Sequence, residues 1–245
     1  MTAKAGERQL FSEHLRELRS RLLSCVFFLV CGTAVGYFWY ENLLDILVKP
    51  LGQPVFYSSP AGGFDFILKL SLLFGFAFSI PVLVYHAFRF IEPVVPQRAP
   101  KKTFLVLVSS GALLIMGVLF AYYVSLPAAL YFLSSFTTEG VHALISANEY
   151  FSFVTRYLLG FGLLFQLPLV LLVINSVQQV PTKTLLRLEK WVLLLSFVIA
   201  AVLTPTPDVF NQLLMAVPLI ILYQFSVVLV WLVNTKTPQA KGKKR

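Results

Sequence analysis

Four groups of polar side chains in this sequence have types and spacings suited to binding. Glu17 lies four residues before Arg21 in the segment Phe11-Ser12-Glu13-His14-Leu15-Arg16-Glu17-Leu18-Arg19-Ser20-Arg21-Leu22-Leu23. A helical carboxylate there can pair with Arg21 at i+4 or hold an incoming guanidinium bidentately. Glu92 is the lone acid of the stretch Phe90-Ile91-Glu92-Pro93-Val94-Val95-Pro96-Gln97-Arg98-Ala99-Pro100, whose three prolines stop helix propagation and stiffen the link. Gln166 sits in the apolar run Phe165-Gln166-Leu167-Pro168. Its amide serves either as internal glue or as a capture point for a partner helix, and Pro168 frees a backbone carbonyl nearby. Thr204, Asp208 and Gln212 gather around Thr204-Pro205-Thr206-Pro207-Asp208, where Asp208 is placed to cap the following helix.

None of these groups is a catalytic set. HExxH and GxSxG patterns are absent, as is a Gly-rich phosphate loop, so no ATP site, cofactor or catalytic residue is expected. His14, His86 and His142 are scattered, and no Cys/His cluster has metal-ligand spacing. Cys25 and Cys31 fall six residues apart on one segment, about 9 Å along a helix axis. That is too far for a disulfide.

The elements that position these groups are membrane helices. The 245 residues are 58% hydrophobic and only 13% charged, with mean hydropathy +0.79, against roughly a quarter charged in soluble domains. Six apolar stretches, about 22–40, 66–90, 104–134, 151–176, 190–204 and 209–233, are candidates for spans of ~20 residues. The first is too long for a signal-peptide core and reads as a retained helix. Before it, Ser12 is placed to N-cap a helix with Leu15, Leu18 and Leu22 on one stripe, an interfacial lead into the first span. Pro127 is placed to break or kink the third stretch. The fifth is short, and its Pro-rich link to the sixth predicts a tight, short hairpin. The loop from Glu41 to Asp65, with Lys49-Pro50-Leu51, is long enough to fold as a small cap. The expected fold class is all-α, a single integral membrane domain over residues 1–234 followed by a basic, disordered tail, 235–245.

Charge gives the orientation. Seventeen of the twenty Lys and Arg residues lie on one side of the expected spans; only Lys49, Lys69 and Arg156 do not. The positive-inside rule then places both termini in the cytoplasm, with an even number of spans. The net charge of +9 is a topology signal. No basic stripe with interleaved aromatics lies in a soluble segment, so no nucleic-acid partner is expected; the tail Lys241-Gly242-Lys243-Lys244-Arg245 is suited to anionic membrane lipid.

Taken in order, the landmarks resemble the TatC family, the multi-spanning receptor subunit of the twin-arginine protein translocase. They are His14-Leu15-Arg16-Glu17-Leu18-Arg19-Ser20-Arg21-Leu22, Lys49-Pro50-Leu51, Phe90-Ile91-Glu92-Pro93, Gly117, Phe120 and Tyr122 leading to Pro127, Phe165-Gln166-Leu167-Pro168, and Thr204-Pro205 with Pro207-Asp208-Val209-Phe210. The resemblance runs from Phe11 to about Trp231. It implies six helices around a concave, cupped face in a bacterial cytoplasmic membrane. It also implies binding of twin-arginine signal peptides at the cytoplasmic side through Glu17, Arg19, Phe90 and Pro93. Implied partners are single-span TatA- and TatB-type proteins, met at Gln166, Thr204 and Gln212, and further copies of the chain in an oligomeric receptor. Folded proteins would then cross on the proton-motive force, without enzymatic chemistry. Pro50, Pro168 and Asp208 are implied to be structural.

One departure stands out. Where the family carries a second glutamate in the loop between the second and third spans, this chain has Ala99, followed by Pro100 and Lys101. Glu92 is the residue available to stand in for it. The competing reading, a small-solute secondary transporter, predicts internal repeats and paired ionisable groups at mid-membrane; no repeat is present, and no span holds an acid near its middle.

Overall fold

The computed structural model describes residues 2–57, 59–91, 100–136, 144–204 and 208–236. It describes no side chains for 2–18, 88–91, 100–103, 177 and 236. Among the described residues the regular structure is helical, apart from one parallel bridge between Phe56 and Ser146. The helices are α1 (Thr2–Phe38), α2 (Tyr40–Val48), α3 (Gly62–Ile91), α4 (Pro100–Phe120), α5 (Leu126–Ser134), α6 (Ala147–Leu164), α7 (Leu167–Val177), α8 (Thr182–Leu203) and α9 (Val209–Lys236).

Five of the helices begin a turn or more before their apolar stretches, because helices continue into the polar interface where hydropathy has already fallen, while the far ends agree to within three residues. The largest difference is at α1, whose backbone is helical from Thr2 onward. Ser12 therefore lies inside a helix and does not cap one. Pro127 does not end the third stretch. One wide π-turn, Ala121–Ser125, joins α4 to α5 and places Pro127 in the first turn of α5, where its missing N–H breaks no bond. Likewise α6 and α7 form one bent rod, with Phe165 ending the first half and Pro168 in the first turn of the second. Both cysteines are free.

Five segments are long and apolar enough to cross a membrane: Arg19–Phe38, Gly62–Ala87, Phe104–Ser134, Ala147–Ser176 and Val209–Thr235. The sixth expected span, α8, falls short. Lys183, Arg187, Glu189 and Lys190 occupy its first half, leaving an apolar run from Trp191 to Leu203 that is about 20 Å long at ~1.5 Å per residue. The hairpin is thus unequal: α9 is full-length, and only its α8 arm is short.

The α6–α7 rod is the centre of the fold. In its most apolar eighteen residues 56% are buried within the protein, against 11% for the corresponding stretch of Arg19–Phe38. Val154, Tyr157 and Phe161 are fully buried and pack with Phe66, Ala121, Leu126 and Met215 from the surrounding helices. In lipid there is no hydrophobic drive between helices, so small residues that allow close backbone approach take that role. Gly75 of α3 faces α1 so closely that a Cβ would lie 2.7 Å from the Leu29 carbonyl, and Gly117 of α4 faces the Phe161 carbonyl at 2.6 Å.

On the face opposite the basic loops, the segment after α1 folds into a cap. Tyr150 donates from its hydroxyl to the Leu47 carbonyl at 2.7 Å, and Tyr122 donates to the Ile46 carbonyl at 2.7 Å. Phe56 N–H donates to Ile145 O and Ala147 N–H to Phe56 O. Pro50 lies in a 3-10 turn, Lys49–Leu51, closed by Gly52 in a left-handed conformation, φ 69°.

Candidate functional site

The polar residues singled out by the sequence fall at three places. At the end carrying the basic loops, Glu17 occupies a helical position just before the Arg19–Phe38 span, and Phe90 lies in the last turn of α3. Their side chains lie outside the described ones, and Glu92, Pro93 and Ala99 lie outside the described residues. Arg19 is exposed. Arg21 donates from Nη1 to the His86 carbonyl at 2.7 Å, tying α1 to α3 beside this end.

The second place is Gln166, at the bend between α6 and α7. It is 4% exposed. Its Oε1 accepts from Ser110 Oγ at 2.8 Å, while Nε2 donates to the carbonyls of Ser110 at 3.2 Å and Gly162 at 3.4 Å. Both ends of the amide are engaged within the fold, and the bend is clasped to α4. The same residue lies at the floor of an apolar concavity of about 460 Å³ between α7, α8 and α9, walled by Val170, Leu188, Val192 and Leu195.

The third place is the turn between α8 and α9. Thr204 is buried and donates to the Ala200 carbonyl, ending α8. Asp208 caps α9: its Oδ1 accepts from the Asn211 N–H at 2.7 Å and its Oδ2 from Asn211 Nδ2 at 2.9 Å. Gln212 Nε2 donates to the Phe197 carbonyl at 2.9 Å, pinning α9 to α8. Thr204, Asp208 and Gln212 are thus brought together, and Gln166 belongs to a different junction.

Sequence reading missed two residues in these networks and passed over a third outside them. Ser110 supplies the clasp on Gln166. Asn211, fully buried, accepts from the Tyr157 hydroxyl at 3.1 Å and so connects the Asp208 cap to α6. An Asn three residues after an N-cap Asp in an apolar helix was the available signal for Asn211. Arg156 was noticed only as an exception to the charge count, yet it stands exposed within the Ala147–Ser176 span. Among the described residues no cluster of His, Cys, Asp and Glu has the grouping of a metal site.

Long apolar helices, prolines at helix bends, and polar groups spent on clasping helices to one another define a polytopic membrane protein. The profile of the Sec-independent protein translocase protein (TatC) family matches residues 13–218, and the chain belongs to that family. It is 34% identical over 232 residues to the Sec-independent protein translocase protein TatC of Desulforapulum autotrophicum, covering 92% of this chain and 86% of the relative. It is 33% identical over 225 residues to that of Aquifex aeolicus, covering 89% and 93%. The fold superposes on the crystal structure of the twin arginine translocase receptor TatC in DDM with TM-score 0.80 and 32% identity, over 88% of this chain and 98% of that one.

Proposed function

We propose that this chain is the core receptor subunit of a twin-arginine translocase, a non-enzymatic transport component that works by binding. The observation that carries the reading is the agreement of the TatC family match over residues 13–218 with a fold that superposes on a twin arginine translocase receptor at TM-score 0.80. The transporter alternative is not favoured by either comparison.

The signal peptide's paired arginines bind at the end of the molecule where α1 enters the membrane and α3 leaves it. Glu17 supplies the carboxylate, a bidentate acceptor for guanidinium, with Arg19, Phe90 and Pro93 around it. Glu92 takes the part of the acid missing at Ala99. Single-span TatA- and TatB-type helices dock on the α7–α8–α9 side, against the concavity floored by Gln166 and near Thr204 and Gln212. The receptor assembles with further copies of itself, and the proton-motive force drives passage of the folded cargo. Both termini are cytoplasmic, so the number of crossings is even, and the five long spans need a sixth. The short α8 then crosses as one arm of the α8–α9 hairpin, with Lys183, Arg187 and Lys190 at the cytoplasmic interface.

The test is complementation. A bacterium lacking its own TatC, and expressing this chain with single-span partners encoded beside it, is expected to export a folded reporter carrying a twin-arginine signal and to retain one carrying a twin-lysine signal. Export of both reporters, or of neither while the chain is present in the membrane, contradicts the proposal.

A further inference from the structure

Six charged residues fall within the five long apolar spans: Arg19, Arg21, Asp65, Lys69, Glu149 and Arg156. Arg19 and Arg21 stand at the very start of the first span. Asp65 and Lys69 pair with each other at 2.6 Å. Glu149 and Arg156 are both exposed, and neither side chain makes a hydrogen bond or ion pair with a described residue. Arg156 is also deep: nine residues into α6, it lies about 14 Å along the axis from Ala147, close to the middle of a ~30 Å hydrocarbon layer. Ionisable groups at that depth face a cavity or a partner.

A concavity of about 890 Å³ is present at that place, on the side of the fold that carries the cap. It lies between α6, α5 and the Lys49–Leu51 turn. Leu130, Leu133 and Phe153 line its apolar part, and Asn148, Glu149 and Arg156 its polar part. Seven residues apart, Glu149 and Arg156 share one stripe of α6 at nearly two turns' separation, roughly 10 Å. Between them stands Ser152. Beside Glu149, Oδ1 of Asn148 is buried and accepts no hydrogen bond.

We propose that this concavity binds a phospholipid whose headgroup carries a phosphate and a primary ammonium, the phosphate on Arg156 and the ammonium between Glu149 and Asn148. A guanidinium is suited to a phosphate. An ammonium offers three donors, enough for the Glu149 carboxylate and the orphaned Asn148 oxygen together. Helix side chains lean toward the N-terminus, which turns the guanidinium toward Glu149 and the mouth of the concavity, and an arginine's stem lies along apolar surface while its head seeks polar groups; the headgroup is drawn below the leaflet surface to meet it. The acyl chains then cover Leu130, Leu133 and Phe153. A partner helix filling the same space needs a base and an acid two turns apart in the complementary order, whereas the headgroup holds both charges side by side and is present throughout the leaflet.

The experiment uses the full chain purified in detergent and titrated with phosphatidylethanolamine, phosphatidylcholine or phosphatidylglycerol, bound lipid being counted by native mass spectrometry. Wild type is expected to bind phosphatidylethanolamine about tenfold more tightly than the other two, the effect of one charge-assisted hydrogen-bonded contact. Arg156→Gln is expected to weaken all three by about tenfold, with partial recovery in Arg156→Lys. Glu149→Gln is expected to bring phosphatidylethanolamine down to the phosphatidylcholine level and leave phosphatidylglycerol no weaker. Glu149 is exposed, so that variant decides the matter even where Arg156→Gln fails to fold. Equal binding of the three lipids by wild type, or unchanged preference in Glu149→Gln, overturns the proposal. So does loss of a co-purifying single-span protein in Arg156→Gln with lipid binding intact, which assigns the concavity to a partner helix.

Discussion

Ser110 and Gln166 exchange two hydrogen bonds: the serine hydroxyl donates to the glutamine Oε1 at 2.8 Å, and the glutamine Nε2 returns a bond to the serine carbonyl at 3.2 Å. The pair closes the bend of the α6–α7 rod onto α4. Interhelical bonds of this kind in membranes contribute ~0.6–2 kcal/mol. Gln166→Leu is expected to destabilise the fold by about that amount, and Ser110→Ala by a similar one. The double variant is expected to fall short of the sum, because the two residues share one interaction. Thermal unfolding in detergent checks the cycle; strict additivity contradicts the clasp.

The Asp208–Asn211–Tyr157 chain of bonds ties the start of α9 to the centre of the fold. Asp208→Ala removes the cap and is expected to cost ~0.5–2 kcal/mol. Asn211→Leu is expected to cost more, since it leaves the fully buried Tyr157 hydroxyl without its acceptor. Unfolding temperatures in the order wild type, Asp208→Ala, Asn211→Leu are the expected result.

Gly75 has no room for a side chain, its Cβ position meeting the Leu29 carbonyl of α1 at 2.7 Å. Backbone cannot yield there without separating α1 from α3. Gly75→Leu is expected to destabilise by at least the ~1–3 kcal/mol typical of overpacking and to open α1 to proteolysis near Arg21. Gly111→Leu is the control: a Cβ at Gly111 meets nothing within 4 Å, and near wild-type protease resistance is expected.

The unequal α8–α9 hairpin makes the span count testable. With Cys25 and Cys31 replaced by Ser, single cysteines at Gln53, Gln178 and Lys241 report sidedness to a membrane-impermeant thiol reagent. Labelling of Gln53→Cys from outside the cell, with Gln178→Cys and Lys241→Cys labelled only after permeabilisation, is expected for six crossings. Labelling of Lys241→Cys from outside refutes an even count.

Much of the fold was legible because hydropathy and charge act over whole helices. The six apolar stretches all appear as helices, and α8 was already marked as short by Lys183, Arg187 and Lys190 crowding its start. What local pattern misses is pairing at a distance. Nothing near Ser110 in sequence announces Gln166, and nothing near Tyr157 announces Asn211, because each bond joins residues more than fifty positions apart. The Ser12 cap was misjudged for a related reason: a good capping residue is only a local option, and α1 continues through it. Arg156 was visible all along as the one cation inside the fourth apolar stretch, but its meaning depended on a cavity that only the packing of α5, α6 and the Pro50 turn creates.

The receptor reading stands most directly on Glu17. With a photo-crosslinking residue at the exposed Ser20 position, a precursor bearing a twin-arginine signal is expected to be captured and its twin-lysine counterpart not. Glu17→Gln is expected to reduce capture about tenfold or more, the loss of one charged hydrogen-bonded contact, and Glu92→Gln to reduce it by a smaller factor. Equal capture of the two precursors, or full capture by Glu17→Gln, contradicts the account; full capture by Glu92→Gln alone removes only Glu92 from the site.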